Sequence, residues 1–259
     1  MIVARTVSQH LERASWIRRM FEEGIRLKAE RGAENVFDFT LGNPEVEPPE
    51  EVLASLRRVA LNGRPGMHGY MPNAGFPEVR AAIAARLAAS SGLPFTAEHV
   101  IMTVGSSGAI NTVLRALLDP GDEVIVPVPY FAEYPFYVQN HGGRMVEVET
   151  GDDFSLRVDR MERAVTERTR AIILNSPNNP AGVVYPREAL EELGAMLDRQ
   201  ARPITLISDE PYKALLYDGI RQPEVSLHVR RAVVAHSWSK AQAIAGERIG
   251  YLAVSPRFP

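Results

Sequence analysis

The sequence contains no cysteine, which excludes a disulfide framework, a thiolate metal site and a cysteine nucleophile. It has no apolar run long enough to span a bilayer. It carries little excess charge, −3 at neutral pH, and so gives no reason to expect a nucleic-acid or membrane partner. No internal repeat, low-complexity tract or charge block interrupts it. The six histidines (His10, His68, His99, His141, His228 and His236) lack metal-ligand spacing and read as core or surface residues, so no metal is expected. The first 32 residues are amphipathic, with Glu12, Glu22 and Glu23 among arginines. A secretory signal needs an uninterrupted apolar centre and a transit peptide avoids acids, so this stretch is expected to belong to the fold and the protein to the cytoplasm.

What is present is the composition of an ordinary globular protein, 45% hydrophobic and 24% charged over 259 residues. Apolar residues at helical spacing predict a helix from Ser8 to about Arg31, with Gly32 as its stop. An extended piece, Val36 to Leu41, then closes in the turn Gly42-Asn43-Pro44. Helices are predicted over Glu50–Ala60 and the alanine-rich Phe76–Ala89. Thereafter seven short apolar runs rich in β-branched residues predict strands at His99–Val104, Glu123–Val128, Arg144–Val148, Arg170–Leu174, Ile204–Ser208, Ala232–Ala235 and Ile249–Val254. Helical patterns separate most of them: Gly108–Leu118, Ala132–Asn140, Asp159–Val165 and Pro186–Arg199. Runs apolar on both faces and alternating with helices imply an α/β fold, a mainly parallel seven-stranded sheet with helices on both faces. Binding residues are then expected at strand C-termini and in the loops after them.

The chemistry-bearing segments lie at such places. Ser237-Trp238-Ser239-Lys240 follows the sixth run and is succeeded by Ala245-Gly246-Glu247-Arg248-Ile249-Gly250-Tyr251. A lone lysine after a strand is usually a solvated surface residue, and roughly one in 2,500 is neutral at pH 7 at an unperturbed pKa. Ser208-Asp209-Glu210-Pro211-Tyr212 ends the fifth run, and Asn175-Ser176-Pro177-Asn178-Asn179-Pro180-Ala181-Gly182 follows the fourth. Val104-Gly105-Ser106-Ser107-Gly108-Ala109 joins a strand to a helix, where backbone N–H groups and the helix dipole suit an anion. It is not a dinucleotide fingerprint, and no phosphate-loop lysine follows it, which counts against a nucleotide-binding enzyme. Pro127-Val128-Pro129-Tyr130, Leu41-Gly42-Asn43-Pro44 and Tyr70-Met71-Pro72-Asn73-Ala74-Gly75 complete the set.

In order and spacing these segments resemble, over about residues 35–254, the fold-type I aminotransferases of class I/II, the aspartate aminotransferase-like enzymes. The resemblance implies a pyridoxal-phosphate (PLP) enzyme that moves an amino group between an amino acid and a 2-oxo acid. Lys240 would be the Schiff-base lysine and proton shuttle, Asp209 the partner of the pyridine nitrogen, and Tyr212 and Asn179 the contacts of the phenolic oxygen. Ser106, Ser107, Ser237 and Arg248 would hold the phosphate, Arg248 with a planar fork that suits its oxygens. Tyr130 would stack on the ring. Gly42, with Asn179, would meet the substrate, and Tyr70 would reach the phosphate of a partner subunit, implying a homodimer with shared active sites. Ala181 departs from the threonine usual at its position. Residues 1–45 would contribute to a smaller lobe and 46–259 form the cofactor-binding large domain. The family's C-terminal lobe, with an arginine for the substrate carboxylate, is expected to be absent, since only Ser-Pro-Arg-Phe-Pro follows the seventh run. A PLP lyase or synthase on the same scaffold, and a non-catalytic PLP-binding module, are the rival readings.

Overall fold

The structure is a computed structural model that describes residues 2–3, 5–39, 42, 44–63 and 65–259; of residues 5, 6 and 9–18 it describes the backbone alone. It divides into two units, Met1–Glu45 and Val46–Pro259.

The first unit is built on one helix, α1 (Arg5–Arg31), whose last turn carries Lys28 and Arg31 where cations favour the helix dipole. Gly32, at φ 84°, ends it, and a short 3-10 turn follows at Ala33–Asn35. The piece expected to be extended forms no strand over residues 36–39, and Thr40, Leu41 and Asn43 lie outside the described residues. The side chains of Leu11, Ala14 and Ile17, expected on the apolar face, likewise lie outside them. Lys28 binds Asp38 at 2.7 Å, tying the segment after the helix back to it.

The second unit opens with α2 (Glu50–Leu61) and α3 (Pro77–Ser91) and continues with a near-regular alternation: β1 (Val100–Val104), α4 (Gly105–Leu117), β2 (Glu123–Val128), α5 (Tyr134–Asn140), β3 (Arg144–Glu149), α6 (Val158–Ala164), β4 (Thr169–Asn175), α7 (Arg187–Asp198), β5 (Thr205–Asp209), α8 (Val225–His228), β6 (Ala232–Ser237) and β7 (Ile249–Val254). The seven strands form one sheet in the order β1-β7-β6-β5-β4-β2-β3. Its pairs are parallel except those of β7, which runs antiparallel to both β1 and β6. The seven predicted strands are all present, in an α/β sheet that is mainly parallel.

Strand alternation explains the two layers. Val124, Val126, Ala171, Ile173 and Ile207 face α4 and α5, where they bury Ile110, Leu114, Tyr134 and Val138. Their neighbours Ile125, Ile172, Leu174 and Leu206 face the other way, onto Met161 of α6 and Leu190, Leu193 and Leu197 of α7. A third cluster packs Ile83 and Ala84 of α3 on Val100, Val234, Tyr251 and Ala253. No helix among the described residues is long and apolar enough to cross a membrane.

The reversed strand shapes the functional edge. Because β7 runs against its neighbours, its start lies beside the ends of β1 and β6, with Ile249 opposite Val104 and Gly250 opposite Ser237. Gly250 is wedged there. A Cβ at this position would stand 2.5 Å from the His236 carbonyl oxygen and 2.6 and 2.7 Å from Gly105 backbone carbons. All three neighbours are backbone and cannot rotate away. Gly250→Ala is therefore expected to push β7 off α4 and cost about 1–3 kcal/mol. A urea midpoint unchanged from wild type would show that the edge has room after all.

Candidate active site

Parallel strands deliver their C-termini to one edge, and three neighbouring strands deliver polar residues: Asn175 from β4, Asp209 from β5 and Ser237 from β6. Asn175 and Asp209 are direct register partners. Asn175 Nδ2 donates to the Asp209 carbonyl at 2.9 Å, and its Oδ1 accepts the Asn179 backbone N–H at 2.6 Å. That pair of bonds folds the Asn-Pro loop back over the sheet edge. Asn179 Nδ2 then donates to the Tyr212 hydroxyl at 3.2 Å. The two residues expected to share one acceptor of the cofactor are thus brought together.

Asp209 is buried, and desolvation pushes its carboxyl up from an ordinary 3.8 to about 6, while Tyr134 and the nearby Ser106 hydroxyl oppose the rise. Tyr134 on α5 donates to Oδ2 at 2.6 Å. The other oxygen, Oδ1, is buried and closes no hydrogen bond in good geometry. A buried carboxylate oxygen in that state is costly, and an N–H donor, above all a cationic one, would relieve it.

At the neighbouring strand ends β1 passes directly into α4. Gly105, the first residue of the helix, takes φ 70°, a conformation that lets the chain turn from strand into helix without a loop. The first-turn N–H groups of α4, including those of Ser106 and Ser107, have no carbonyl four residues back within the helix. The Arg248 guanidinium lies against this turn, since a Cβ on Gly105 would stand 3.0 Å from its Nη2. Arg248 Nη1 donates to the Ala245 carbonyl at 2.9 Å, which aims the fork. Helix N-terminus, two serines and a guanidinium together are a donor set that could hold an anion.

The chain has three lysines, and they differ in their surroundings. Lys28 is held by Asp38. Lys213 is held between Glu210 at 3.0 Å and Glu224 at 2.8 Å; burial disfavours its charge, but the two carboxylates outweigh this and raise its pKa. Lys240 is half-buried, and desolvation together with the Arg248 charge lowers its pKa. The two opposite shifts have distinct causes: two carboxylates favour the charged form of Lys213, whereas burial and a like charge disfavour that of Lys240.

The remaining expected residues are placed less centrally. Tyr130 donates its hydroxyl to Glu147 of β3 at 2.6 Å, outside the network around Asp209. Its neighbour Phe131 stands edge-on to Tyr134, ring centroids 5.7 Å apart. Tyr70 is fully exposed, Leu61 largely so and Met71 to about half its surface. Gly42 belongs to the first unit and is exposed. That unit also bears a groove of about 830 Å³ between Met20 and Leu27 of α1 and Phe37 and Phe39. Its Glu23 and Arg26 pair with each other and its Asp38 with Lys28, so it offers binding surface rather than reactive groups. His236, whose pKa burial lowers to about 4, stacks on Tyr251 at 5.0 Å and bonds the Glu210 carbonyl, a packing role.

Sequence reading missed Tyr134, Tyr137 and Asn175 as working parts. The signal for the first two was two tyrosines three apart on one predicted helix face, but their partners lie 75 and 30 residues away in sequence. Their roles follow from the fold alone.

A family model described as aminotransferase class I and II matches residues 34–258. The aspartate/prephenate aminotransferase of Thermus thermophilus is 40% identical over 227 residues, covering 87% of this chain and 58% of the relative. The aspartate aminotransferase of Geobacillus stearothermophilus is 34% identical over 238 residues, covering 90% of this chain and 59% of the relative. Among solved structures, an amino transferase from Eubacterium rectale superposes with a TM-score of 0.94 at 37% identity, covering all of this chain and 67% of its own. The chain thus spans less than two thirds of the length of those two sequence relatives.

Proposed function

The chain belongs to the class I and II aminotransferases, a PLP-dependent family, and on that premise we propose that it takes part in transfer of an amino group from an amino acid to a 2-oxo acid. The observation that carries the reading is Asp209: a buried carboxylate whose Oδ1 closes no hydrogen bond in good geometry, at the edge where the Gly105 turn and Lys240 also lie. The donor set fits PLP at each end. A ring N–H would satisfy Oδ1, the turn at Gly105 with Arg248 would take the phosphate, and Tyr212 with Asn179 would take the ring oxygen.

When bound, PLP supplies an electron sink for the pair of electrons left when the amino acid loses its α-proton. Each residue then has a defined task. Lys240, whose charged form burial and the Arg248 charge disfavour, would hold the cofactor through its amine and would move a proton at the substrate Cα. Asp209 keeps a proton on the ring nitrogen, itself oriented by Tyr134. Tyr212 and Asn179 would hold the ring oxygen, Ser106, Ser107, Ser237 and Arg248 would bind phosphate, and Tyr130 is the proposed ring-face contact. Gly42 and Asn179 would meet substrate. Tyr70, which is exposed, would serve the site of a second subunit in a homodimer; sedimentation as a monomer would remove that assignment.

Aspartate is the first donor to test, because the relatives carry that name. With PLP present, the protein is expected to exchange the α-hydrogen of a donor amino acid with solvent deuterium and to release the matching 2-oxo acid. Exchange without oxo-acid release from any donor, accompanied by loss of a side-chain group, would assign the site to a lyase instead.

A further inference from the structure

Helix α5 carries two tyrosines on one face, Tyr134 and Tyr137, three residues apart with ring centroids 6.3 Å from each other. They work at opposite ends of the proposed cofactor site. Tyr134 donates to Asp209, and Tyr137 donates to Ser107 Oγ at 2.9 Å in the first turn of α4. Resting on the PLP reading above, we propose that Tyr137 is a positioning residue of the phosphate subsite, acting through Ser107 to favour the phosphorylated cofactor over its unphosphorylated form.

The argument is one of hydrogen-bond polarity. A serine hydroxyl has one proton and two lone pairs, and in a first helical turn it can point that proton in several directions. Once Tyr137 donates to the oxygen, one lone pair is used and the serine proton is left for another acceptor. A phosphate ester dianion only accepts, so this is the polarity the donor set requires. Donation into Ser107 also polarises its O–H and strengthens the outward bond, as in any chain of hydroxyls within a low-dielectric site. The rest of the turn is braced as well: Asn111 Nδ2 donates to the Ser107 carbonyl at 2.9 Å, and His141 Nε2 lies 3.0 Å from Asn111 Oδ1. The hydrogen bond of Tyr137 runs to the turn at Ser107 and not to Asp209, Tyr212 or Asn179, so the effect of removing its hydroxyl is expected at the phosphate.

Binding of PLP and of pyridoxal, measured by absorbance titration on the full chain, separates this role from a structural one. Tyr137→Phe keeps the ring and its packing and removes only the donor. It is expected to weaken PLP by roughly three- to tenfold while leaving pyridoxal unchanged. In a Ser107→Ala background the same substitution is expected to have no further effect on PLP, the signature of action through that serine. An equal loss for both ligands, or a loss that persists without the Ser107 hydroxyl, would overturn the inference while leaving the PLP reading intact. A wild-type protein that binds both ligands alike would overturn the phosphate subsite, and this inference with it.

Discussion

Asp209→Asn is expected to slow α-hydrogen exchange by a hundredfold or more, roughly the effect of removing one preorganised charge from a reacting system, and at the same time to stabilise the cofactor-free protein. The two effects share one cause. Burial raises the Asp209 pKa from 3.8 to about 6, so in the folded, empty site the ionised form is disfavoured relative to the unfolded chain. Between those pH values the native state binds more protons than the unfolded state, and stability falls as pH rises. The penalty is absent below about pH 4 and complete above about pH 6, where it amounts to about 3 kcal/mol. Asparagine carries no charge to desolvate and keeps an oxygen for the Tyr134 hydroxyl. The gain is therefore expected above pH 6 and not below pH 4. With PLP bound the sign reverses, because a ring N–H at Oδ1 favours the carboxylate. Urea midpoints with and without PLP on either side of that pH window read this directly. A substitution that shifts both forms in the same direction would show that Oδ1 does not face the cofactor.

Lys240→Met is expected to lower α-hydrogen exchange on the order of a thousandfold or more, since it removes both the covalent holder and the group that moves the proton. PLP should still bind reversibly through the donor set at Gly105, Ser106 and Ser107. The electrostatics give a finer test. Arg248 helps to lower the Lys240 pKa, so Arg248→Gln should raise it and move covalent attachment to higher pH, separately from the weaker phosphate binding. An attachment profile with an unmoved midpoint would mean that burial alone tunes the lysine.

These roles were legible to different degrees in the sequence, for physical reasons. The inner strands were readable because they are buried on both faces, which leaves an unbroken apolar run such as Ala171–Leu174; the edge strand β3, with Arg144, Glu147 and Glu149 exposed, shows a mixed run instead. Direction was not: an apolar strand looks the same either way, and the antiparallel course of β7 follows from the short link at residues 238–248, too brief for the helical crossover a parallel return demands. Helix α4 starts at Gly105 rather than Gly108, because a glycine at φ 70° allows strand and helix to abut. Lys240, Asp209, Tyr212 and Asn179 were found because each stands in a local motif. Tyr134 and Asn175, which hold Asp209 and Asn179, and Tyr137, which holds Ser107, act across the fold, and no spacing reveals a partner on another element. The lysines show the same division. Sequence context singled out Lys240, but only the folded chain shows that the Glu210 and Glu224 carboxylates hold Lys213 in its charged form.

The central claim is that Lys240 is the cofactor lysine, and three lysines make it open to a clean decision. The protein is incubated with PLP, reduced with borohydride, digested, and the modified peptide identified by mass. A single adduct on the peptide containing Lys240 is the expected result, with Lys28 and Lys213 unmodified in their ion pairs. An adduct on Lys213 or Lys28, or none while PLP remains bound, would contradict the account.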